Sequence, residues 1–205
     1  MFNNLYWKYR HLFSNWYKKD LRIYDYPHPH RLMLVDKISK YAQFKDVVEL
    51  GCGLGLNIWL LAKKYPETTF LGFDINKKVI EEGKNFIRIK NGITNVILQC
   101  GDIINNKQYC WFDRNVTFTD AFLIYVNNKK IKWLCDSISR ATQKAIVLCE
   151  FWSKQEKKIG KYYSRDYENL FPQFKLIEKL KITKDIWNDK LWSEYGYIME
   201  FTKCN

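Results

Sequence analysis

Three glycines that alternate along one short segment could bring backbone amides close to a small anion. Gly51, Gly53 and Gly55 follow the apolar run 47–50 and precede a helix-like pattern of apolar residues. Glycine permits a tight turn, and the amides at the start of a helix attract negative charge. A dinucleotide-binding turn needs its third glycine where this chain has Leu56, so the pattern disfavours a pyrophosphate and favours a smaller anion.

Two acidic residues follow the next two apolar runs and could complete a nucleoside site. Asp74 ends the second run, about 20 residues after the glycines, a spacing at which a carboxylate accepts hydrogen bonds from both hydroxyls of a ribose. Asp102 follows the third run, where its carboxylate could accept a hydrogen bond from the exocyclic amine of adenine. Ile75 and Ile103 stand next to these acids, and we expect them to sandwich the base.

Two further carboxylates lie in apolar runs later in the chain and are candidates for proton transfer. Asp120 lies at the end of the fourth run, Glu150 at the end of the fifth, and Tyr125 comes shortly after Asp120. In an apolar setting a carboxyl group can have a raised pKa suited to a base, or it can bind a cation or hydroxyl of the substrate. The alternative is that each acid caps the helix that follows it. We take Asp120, Glu150 and Tyr125 as the catalytic candidates.

Aromatic residues make up 17% of the chain, which is a high share. We expect the segment before residue 31 and the loop between the last two strands to overhang one edge of the sheet as a lid. Aromatic faces beside two carboxylates would suit an amine or a flat polar molecule. The alternative is that most of these rings belong to the core. The residues predicted to line the substrate pocket are Tyr24, Tyr26, His28, Trp152 and Trp187.

Strands and helices alternate along the chain and must position these residues. The apolar runs predict strands over 47–50, 69–74, 95–100, 116–119 and 145–150. Helices are predicted over 31–41, 58–65, 77–90, 129–142 and 162–171, followed by a closing pair of strands over 174–182 and 195–201. Such alternation indicates an α/β fold with a largely parallel sheet covered on both faces, whose ligands bind at the carboxyl ends of the strands.

The first part of the chain has a different character. Apolar and aromatic residues recur at helical spacing over 2–19, and prolines then exclude a helix up to residue 30. We therefore divide the chain into an amino-terminal helical cap, 1–30, and a main domain, 31–205.

The composition is that of an average soluble protein apart from a net charge of +12. Lysines occur as scattered singles and pairs, so a nucleic-acid partner is open but not favoured. The chain has no apolar stretch of membrane-spanning length and no signal-peptide pattern, which predicts a cytoplasmic protein with no membrane partner. The scattered cysteines are typical of small buried hydrophobic residues.

Residues 31–203 resemble the class I S-adenosylmethionine-dependent methyltransferases. Segment 47–55 is similar to the first motif of that family, 70–74 to the second, and Gly101-Asp102 to the third. The resemblance implies S-adenosylmethionine as the cofactor and S-adenosylhomocysteine as the product. It also implies a three-layer Rossmann-like methyltransferase fold, with a seven-stranded, mostly parallel sheet whose last strand is antiparallel.

The same resemblance implies roles for single residues. Asp74 would bind the ribose and Asp102 the adenine, while Tyr125 stands where family members often carry a histidine. The first-motif residues implied to bind the cofactor at its methionine end are Glu49, Gly51, Cys52 and Gly53.

The acceptor class stays open between two readings. Transfer to N or O of a small molecule is supported by the compact chain and its aromatic cap, and transfer to RNA or protein by the positive charge. The Asn-Pro-Pro-Tyr signature of amide and base-amine methyltransferases is absent, because 119–122 reads Thr-Asp-Ala-Phe, and a Pro-Cys nucleophile is absent too. Both absences favour the small molecule.

Two other classes of protein share this sheet. An NAD-dependent oxidoreductase is disfavoured by Leu56, whereas a cofactor-binding subunit without catalysis stays open. Metal-assisted catechol-type transfer would need an Asp-Asn pair near Glu150, where Phe151 and Trp152 stand instead, so we expect no metal.

Overall fold

The computed structural model describes residues 27–41, 43, 45–105 and 114–204. The predicted helix over 2–19 and the predicted pocket residues Tyr24 and Tyr26 lie outside the described residues. The described part of the chain forms a large sheet with helices on both faces and a small two-stranded hairpin beside it.

Nine strands and six α-helices are present in the described residues. The strands are β1 (Asp46–Leu50), β2 (Thr69–Asp74), β3 (Val96–Cys100), β4 (Arg114–Asp120), β5 (Thr142–Phe151), β6 (Lys157–Ile159), β7 (Tyr162–Ser164), β8 (Phe174–Lys181) and β9 (Gly196–Lys203). The helices are α1 (Pro29–Ser39), α2 (Leu56–Lys64), α3 (Lys77–Lys84), α4 (Asn128–Ala141), α5 (Tyr167–Leu170) and α6 (Lys190–Tyr195). A π-helical turn, Asn85–Lys90, continues α3, and a 3-10 turn, Leu123–Tyr125, follows β4.

The large sheet has the strand order β3-β2-β1-β4-β5-β9-β8. Strands β1 to β5 are parallel to one another, and β9 pairs antiparallel with both β5 and β8. The prediction of a Rossmann-like fold with an antiparallel last strand is therefore confirmed. The strand order reverses between β1 and β4, which is where sheets of this kind bind ligands.

Helices cover both faces of the sheet, so the central strands are buried on both sides. One face packs against α1, α2 and α3 through residues such as Ile58 and Phe70, and the other packs against α4 and α5 through residues such as Leu134 and Phe201. A Cβ at Gly83 in α3 would lie 2.5 Å from the Leu54 carbonyl oxygen. Helix α3 therefore packs directly against the backbone of the glycine turn at Leu54.

The predicted helix over 162–171 is wrong. The segment begins with strand β7, which pairs with β6 through a turn in which Gly160 has a φ of +59°, and only α5 is helical. Strand β7 forms in place of the predicted helix because Tyr162 packs against a neighbouring ring. The centroids of the Tyr162 and Phe151 rings lie 5.7 Å apart. Helix α1 also begins earlier than predicted, with Pro29 in its first turn, where the missing amide hydrogen has no cost.

Candidate cofactor and acceptor site

The glycine turn after β1 is held in place by the end of β2. The amides of Gly51 and Cys52 both donate to the carbonyl oxygen of Phe73, at 2.8 and 2.9 Å. Gly53 has a φ of +54°, and a Cβ built on it would meet no described atom within 4 Å. The turn therefore presents open backbone at Gly53. The Cys52 side chain is buried, and its backbone carbonyl accepts a hydrogen bond from the amide of Gly55 at 2.8 Å.

The chain turns sharply after β4 and lays an aromatic ring on the first glycine. Gly51 has a φ of +76°, and a Cβ on it would lie 2.6 Å from the Phe122 ring. Ala121 has a φ of +55°, a left-handed conformation that is unfavourable for a residue with a side chain. Strained backbone of this kind is concentrated at functional sites.

Glu49 carries a buried carboxylate that is only half satisfied. The side chain is 1% exposed, and its Oε1 accepts a hydrogen bond from Asn57 Nδ2 at 2.7 Å. Its Oε2 has no hydrogen-bond partner among the described residues. Burial raises the pKa of Glu49 to about 8. A positively charged ligand group at this position would remove the cost of burying the negative charge.

Asp74 closes β2 beside the same turn, as predicted. Its Oδ2 accepts a hydrogen bond from the amide of Gly53 at 3.0 Å, and its Oδ1 accepts one from the amide of Asn76 at 2.8 Å. The amide of Ile75 also contacts this carboxylate, which has about four acceptor positions and so retains capacity for a ligand hydroxyl. Burial raises the pKa of Asp74, although its amide partners oppose that effect.

The predicted adenine site is only partly assembled by the structure. Asp102 Oδ1 accepts hydrogen bonds from the amides of Ile104 and Asn105, and Asp102 Oδ2 accepts one from the Asn105 side chain at 2.7 Å. Ile103 is 5% exposed and packs in the core, where it faces a cavity lined also by residues of α4. Ile75, in contrast, is partly exposed. The structure therefore does not place the two isoleucines on opposite sides of an open slot.

Asp120 lies in a polar network at the end of β4, with a side chain that is 5% exposed. Its Oδ2 accepts hydrogen bonds from Arg31 Nη1 at 2.9 Å and from Asn57 Nδ2 at 3.1 Å, and His30 Nε2 lies 3.3 Å away. Burial alone would raise the pKa of Asp120, but His30 and Arg31 outweigh burial and hold it well below its usual range. A lowered pKa makes Asp120 a poor proton acceptor, which disfavours the catalytic role predicted for it.

Glu150 caps the 3-10 turn, Leu123–Tyr125, with both of its oxygens. Its Oε1 accepts hydrogen bonds from the amides of Phe122 and Leu123 at 2.9 and 3.0 Å, and its Oε2 accepts one from the amide of Ile124 at 3.0 Å. The Thr119 hydroxyl donates to Oε1 at 2.7 Å. Burial raises the pKa of Glu150 to about 7. This geometry is that of a cap, although the capped turn precedes Glu150 in the chain, whereas the alternative considered from the sequence was a cap on the helix that follows it.

Two other predicted residues, Trp152 and Tyr125, pack against neighbouring side chains. Trp152 packs on the opposite face of the sheet, where its ring stacks on Lys179 Nζ at 3.5 Å and meets Tyr197 edge-on. Tyr125 packs against Tyr162, with 5.3 Å between ring centroids. Trp152 therefore packs on a different face of the sheet from Trp187.

The start of α1 and the loop between β8 and β9 do meet at the carboxyl edge of the sheet. Trp187 stacks on His30 at 4.1 Å and on Trp192 at 4.3 Å between ring centroids, and His28 packs against Trp187 at 4.9 Å. The His28 and His30 Nδ1 atoms lie 2.7 Å apart. Three stacked rings, with His28 tilted against them, thus lie beside the Asp120 network, at the place where the lid was predicted.

Three residues of this network were missed in the sequence. Arg31 and His30 lie on α1, and their pairing with β4 is visible only in three dimensions. Asn57 could have been singled out in the sequence, because it is an amide side chain in the first turn of an otherwise apolar helix. In the structure it bridges Glu49 to Asp120. A buried amide of this kind requires polar partners.

His30, Asp120 and Cys149 place potential metal-binding atoms within 4.8 Å of one another. The Arg31 guanidinium already lies 2.9 Å from the Asp120 carboxylate. A second cation there would be repelled by the guanidinium, which favours the expectation of no metal.

The fold and the glycine turn together define a Rossmann-like methyltransferase architecture. A family model described as a methyltransferase domain matches residues 44–203. The chain belongs to this family, and its resemblance to the class I S-adenosylmethionine-dependent methyltransferases is confirmed.

Solved structures with this fold are distant in sequence. Magnesium protoporphyrin IX methyltransferase from Synechocystis PCC 6803, with bound S-adenosylhomocysteine, superposes with a TM-score of 0.67 at 14% identity, covering 96% of this chain and 93% of that one. An O-methyltransferase of a Brevibacillus brevis polyketide synthase gives a TM-score of 0.68 at 15% identity, covering 85% and 72%.

A curated relative shares a shorter segment. An uncharacterised protein of Rickettsia prowazekii (strain Madrid E) is 37% identical over 68 residues, which are 33% of this chain and 27% of that protein. The match thus spans about a quarter of the relative's length.

None of the helices in the described part of the chain is long and apolar enough to cross a membrane.

Proposed function

We propose that this chain transfers the methyl group of S-adenosylmethionine to a nitrogen or oxygen atom of a small molecule. The cofactor supplies an activated methyl group on a sulfonium and leaves as S-adenosylhomocysteine. The residues of the chain bind it, orient it and exclude water, because methyl transfer is an in-line displacement that depends mainly on alignment.

The observation that carries this proposal is the unsatisfied oxygen of Glu49 beside the open turn at Gly53. A buried carboxylate with a free Oε2 is costly unless a cation meets it, and the ammonium of the methionine end supplies one. A Cβ on Gly53 would meet no described atom within 4 Å, so the turn leaves room for the rest of the methionine end beside Glu49.

Asp74 would hold the ribose and Asp102 the adenine. Asp74 is already fixed by two amides, so it can accept ribose hydroxyls without first losing side-chain entropy. Asp102 is fixed by Asn105 in the same way. The core position of Ile103 leaves Ile75 as the apolar contact for the base. The Phe122 ring occupies the space next to the Gly51 Cα atom, and it would lie beside the bound cofactor.

Asp120 and Glu150 act in this proposal as positioning residues. Asp120 orients His30, Arg31 and Asn57, and Glu150 shapes the turn that carries Phe122. Trp152 takes no part in the pocket.

Small acceptors are favoured by the narrow lid of stacked rings over the Asp120 network. Magnesium protoporphyrin IX methyltransferase, by its name, acts on a small molecule, and this chain covers 93% of it. RNA or protein is the second candidate acceptor class, supported by the net charge of +12.

A methyl-transfer screen separates these classes. The full chain would be incubated with S-adenosylmethionine carrying a radioactive methyl group and with panels of small amines, phenols, total RNA and denatured protein. Label in a small amine or phenol supports the proposal. Label only in RNA, with an incorporation that falls steeply with salt, would replace it by the second candidate.

A further inference from the structure

The two histidines at the start of α1 form a directed chain that ends on Asp120. His30 Nε2 lies 3.3 Å from Asp120 Oδ2, and His30 Nδ1 lies 2.7 Å from His28 Nδ1. His30 is 2% exposed, whereas His28 is partly exposed. His28 is therefore the end of the chain that a substrate can reach.

Asp120 acts as a hydrogen-bond acceptor for the His30 ring. Arg31 and Asn57 hydrogen-bond to this carboxylate and keep it ionised, so it can only accept. A His30 ring that carries a single hydrogen, on the Nε2 facing this carboxylate, accepts at Nδ1. The 2.7 Å contact is then a hydrogen bond from Nδ1–H of His28, which leaves the lone pair of His28 on Nε2. No other hydrogen bond of the His28 ring occurs in the described residues.

We infer that His28 is the general base of methyl transfer, with His30 and Asp120 as the positioning residues that fix its tautomer. The inference rests on the proposed function and narrows the acceptor to a group that must lose a proton, such as a hydroxyl or a protonated amine. In this arrangement the Asp120 carboxylate orients His30, and His30 in turn orients His28, the base.

The step balances in atoms and electrons. The acceptor lone pair forms the bond to the methyl carbon, and the carbon–sulfur bond breaks with its electron pair remaining on sulfur. The acceptor proton goes to His28 Nε2. The Nδ1 proton of His28 can then pass to His30 Nδ1, which places the positive charge beside Asp120.

The surroundings of His28 suit a base that is neutral at physiological pH. The charged and titratable groups facing it are His30 and Arg31 on α1 and Asp120 on β4, and Trp187 packs on it from the loop between β8 and β9. Burial lowers the pKa of His28, Arg31 acts in the same direction, and Asp120 opposes them. The base is therefore unprotonated when the substrate arrives.

The proton positions can be read without any substrate. Long-range ¹H–¹⁵N spectra of protein labelled on its histidines would be recorded at about pH 8.5, where an ordinary histidine is neutral. His28→Gln and His30→Gln each remove one signal set and so assign them. We expect the hydrogen on Nδ1 of His28 and on Nε2 of His30. A hydrogen on Nε2 of His28 would overturn the inference.

Turnover with the acceptor found by the screen gives the second readout. His28→Ala should bind S-adenosylhomocysteine as the wild type does but lose turnover by about 100-fold or more, and added imidazole should restore part of it. The variant should fold, because the His28 side chain makes no capping bond to α1. Wild-type turnover in the variant would refute His28 as the base while leaving the methyltransferase assignment intact. Failure of the wild type itself to bind S-adenosylhomocysteine would refute the proposed function.

Discussion

Replacing Asp120 by asparagine should lower the free energy of unfolding by about 3 kcal/mol. Removing one partner of a buried ion pair costs about 3–5 kcal/mol, because the other charge is left without compensation. The Asp120 side chain is 5% exposed, whereas that of Arg31 is 27% exposed and can turn toward water. This partial exposure places the expected loss at the lower end of the range. The new amide would also point a donor at Arg31 or His30.

The loss should depend on pH in a defined direction. His30 and Arg31 overcome burial and depress the pKa of Asp120 in the folded protein, whereas in the unfolded chain it is about 3.9. The stabilisation is therefore complete above about pH 4 and is lost as the pH falls toward the folded pKa. We expect a constant difference between wild type and Asp120→Asn from about pH 5 to 8, and a smaller one below about pH 4.

Urea unfolding followed by tryptophan fluorescence at several pH values measures both effects. Asp46→Asn is the matched control, because Asp46 is 40% exposed and its oxygen lies 3.7 Å from Arg114. A surface pair of this kind contributes about 0.5 kcal/mol or less. If the two substitutions cost the same, the Asp120 network would not be a buried ion pair in solution and the reasoning would fail.

Other predictions concern the glycine turn and its neighbours. Glu49→Gln should raise the free energy of unfolding by about 1–3 kcal/mol at pH 8, because burial raises the Glu49 pKa to about 8. That gain should vanish below about pH 4.5, where the unfolded state also protonates, and urea titrations at the two pH values would show whether it does. Asp74→Ala should weaken S-adenosylhomocysteine binding tenfold or more, since a charge-assisted hydrogen bond contributes about 1.5–3 kcal/mol; unchanged calorimetric affinity would refute the ribose assignment. Ala121→Gly should leave the melting temperature unchanged or raise it, whereas Ala121→Val should lower it, because φ is +55°. A lower melting temperature for the glycine variant would show that this conformation is not strained.

The sheet and the glycine turn could be predicted because their signals are local. Apolar runs that alternate with helical patterns specify parallel strands, and an acid at the end of a strand must emerge at the ligand-binding edge. Glu49, Gly53 and Asp74 therefore lie together as expected, although their contacts with a cofactor stay proposals. The prediction of a helix over 162–171 was wrong because aromatic packing against Phe151 determines the conformation of its first residues. Hydrophobic periodicity does not report such packing.

The roles of the later acids could not be predicted, because they depend on partners distant in the chain. Arg31 lies 89 residues before Asp120, and the residues next to Asp120 give no indication that a guanidinium contacts it. Glu150 caps amides 26 to 28 residues before it, which the neighbouring sequence does not reveal. Both carboxylates occupy apolar runs, the pattern that a catalytic base and a buried structural acid share.

The most direct test is calorimetric titration of the full chain with S-adenosylhomocysteine and, separately, with NAD. The glycine turn, the free oxygen of Glu49 and the carboxylate of Asp74 together predict micromolar binding of S-adenosylhomocysteine and none of NAD. Binding of NAD, or of neither ligand, would contradict the assignment of this site to a methyl donor.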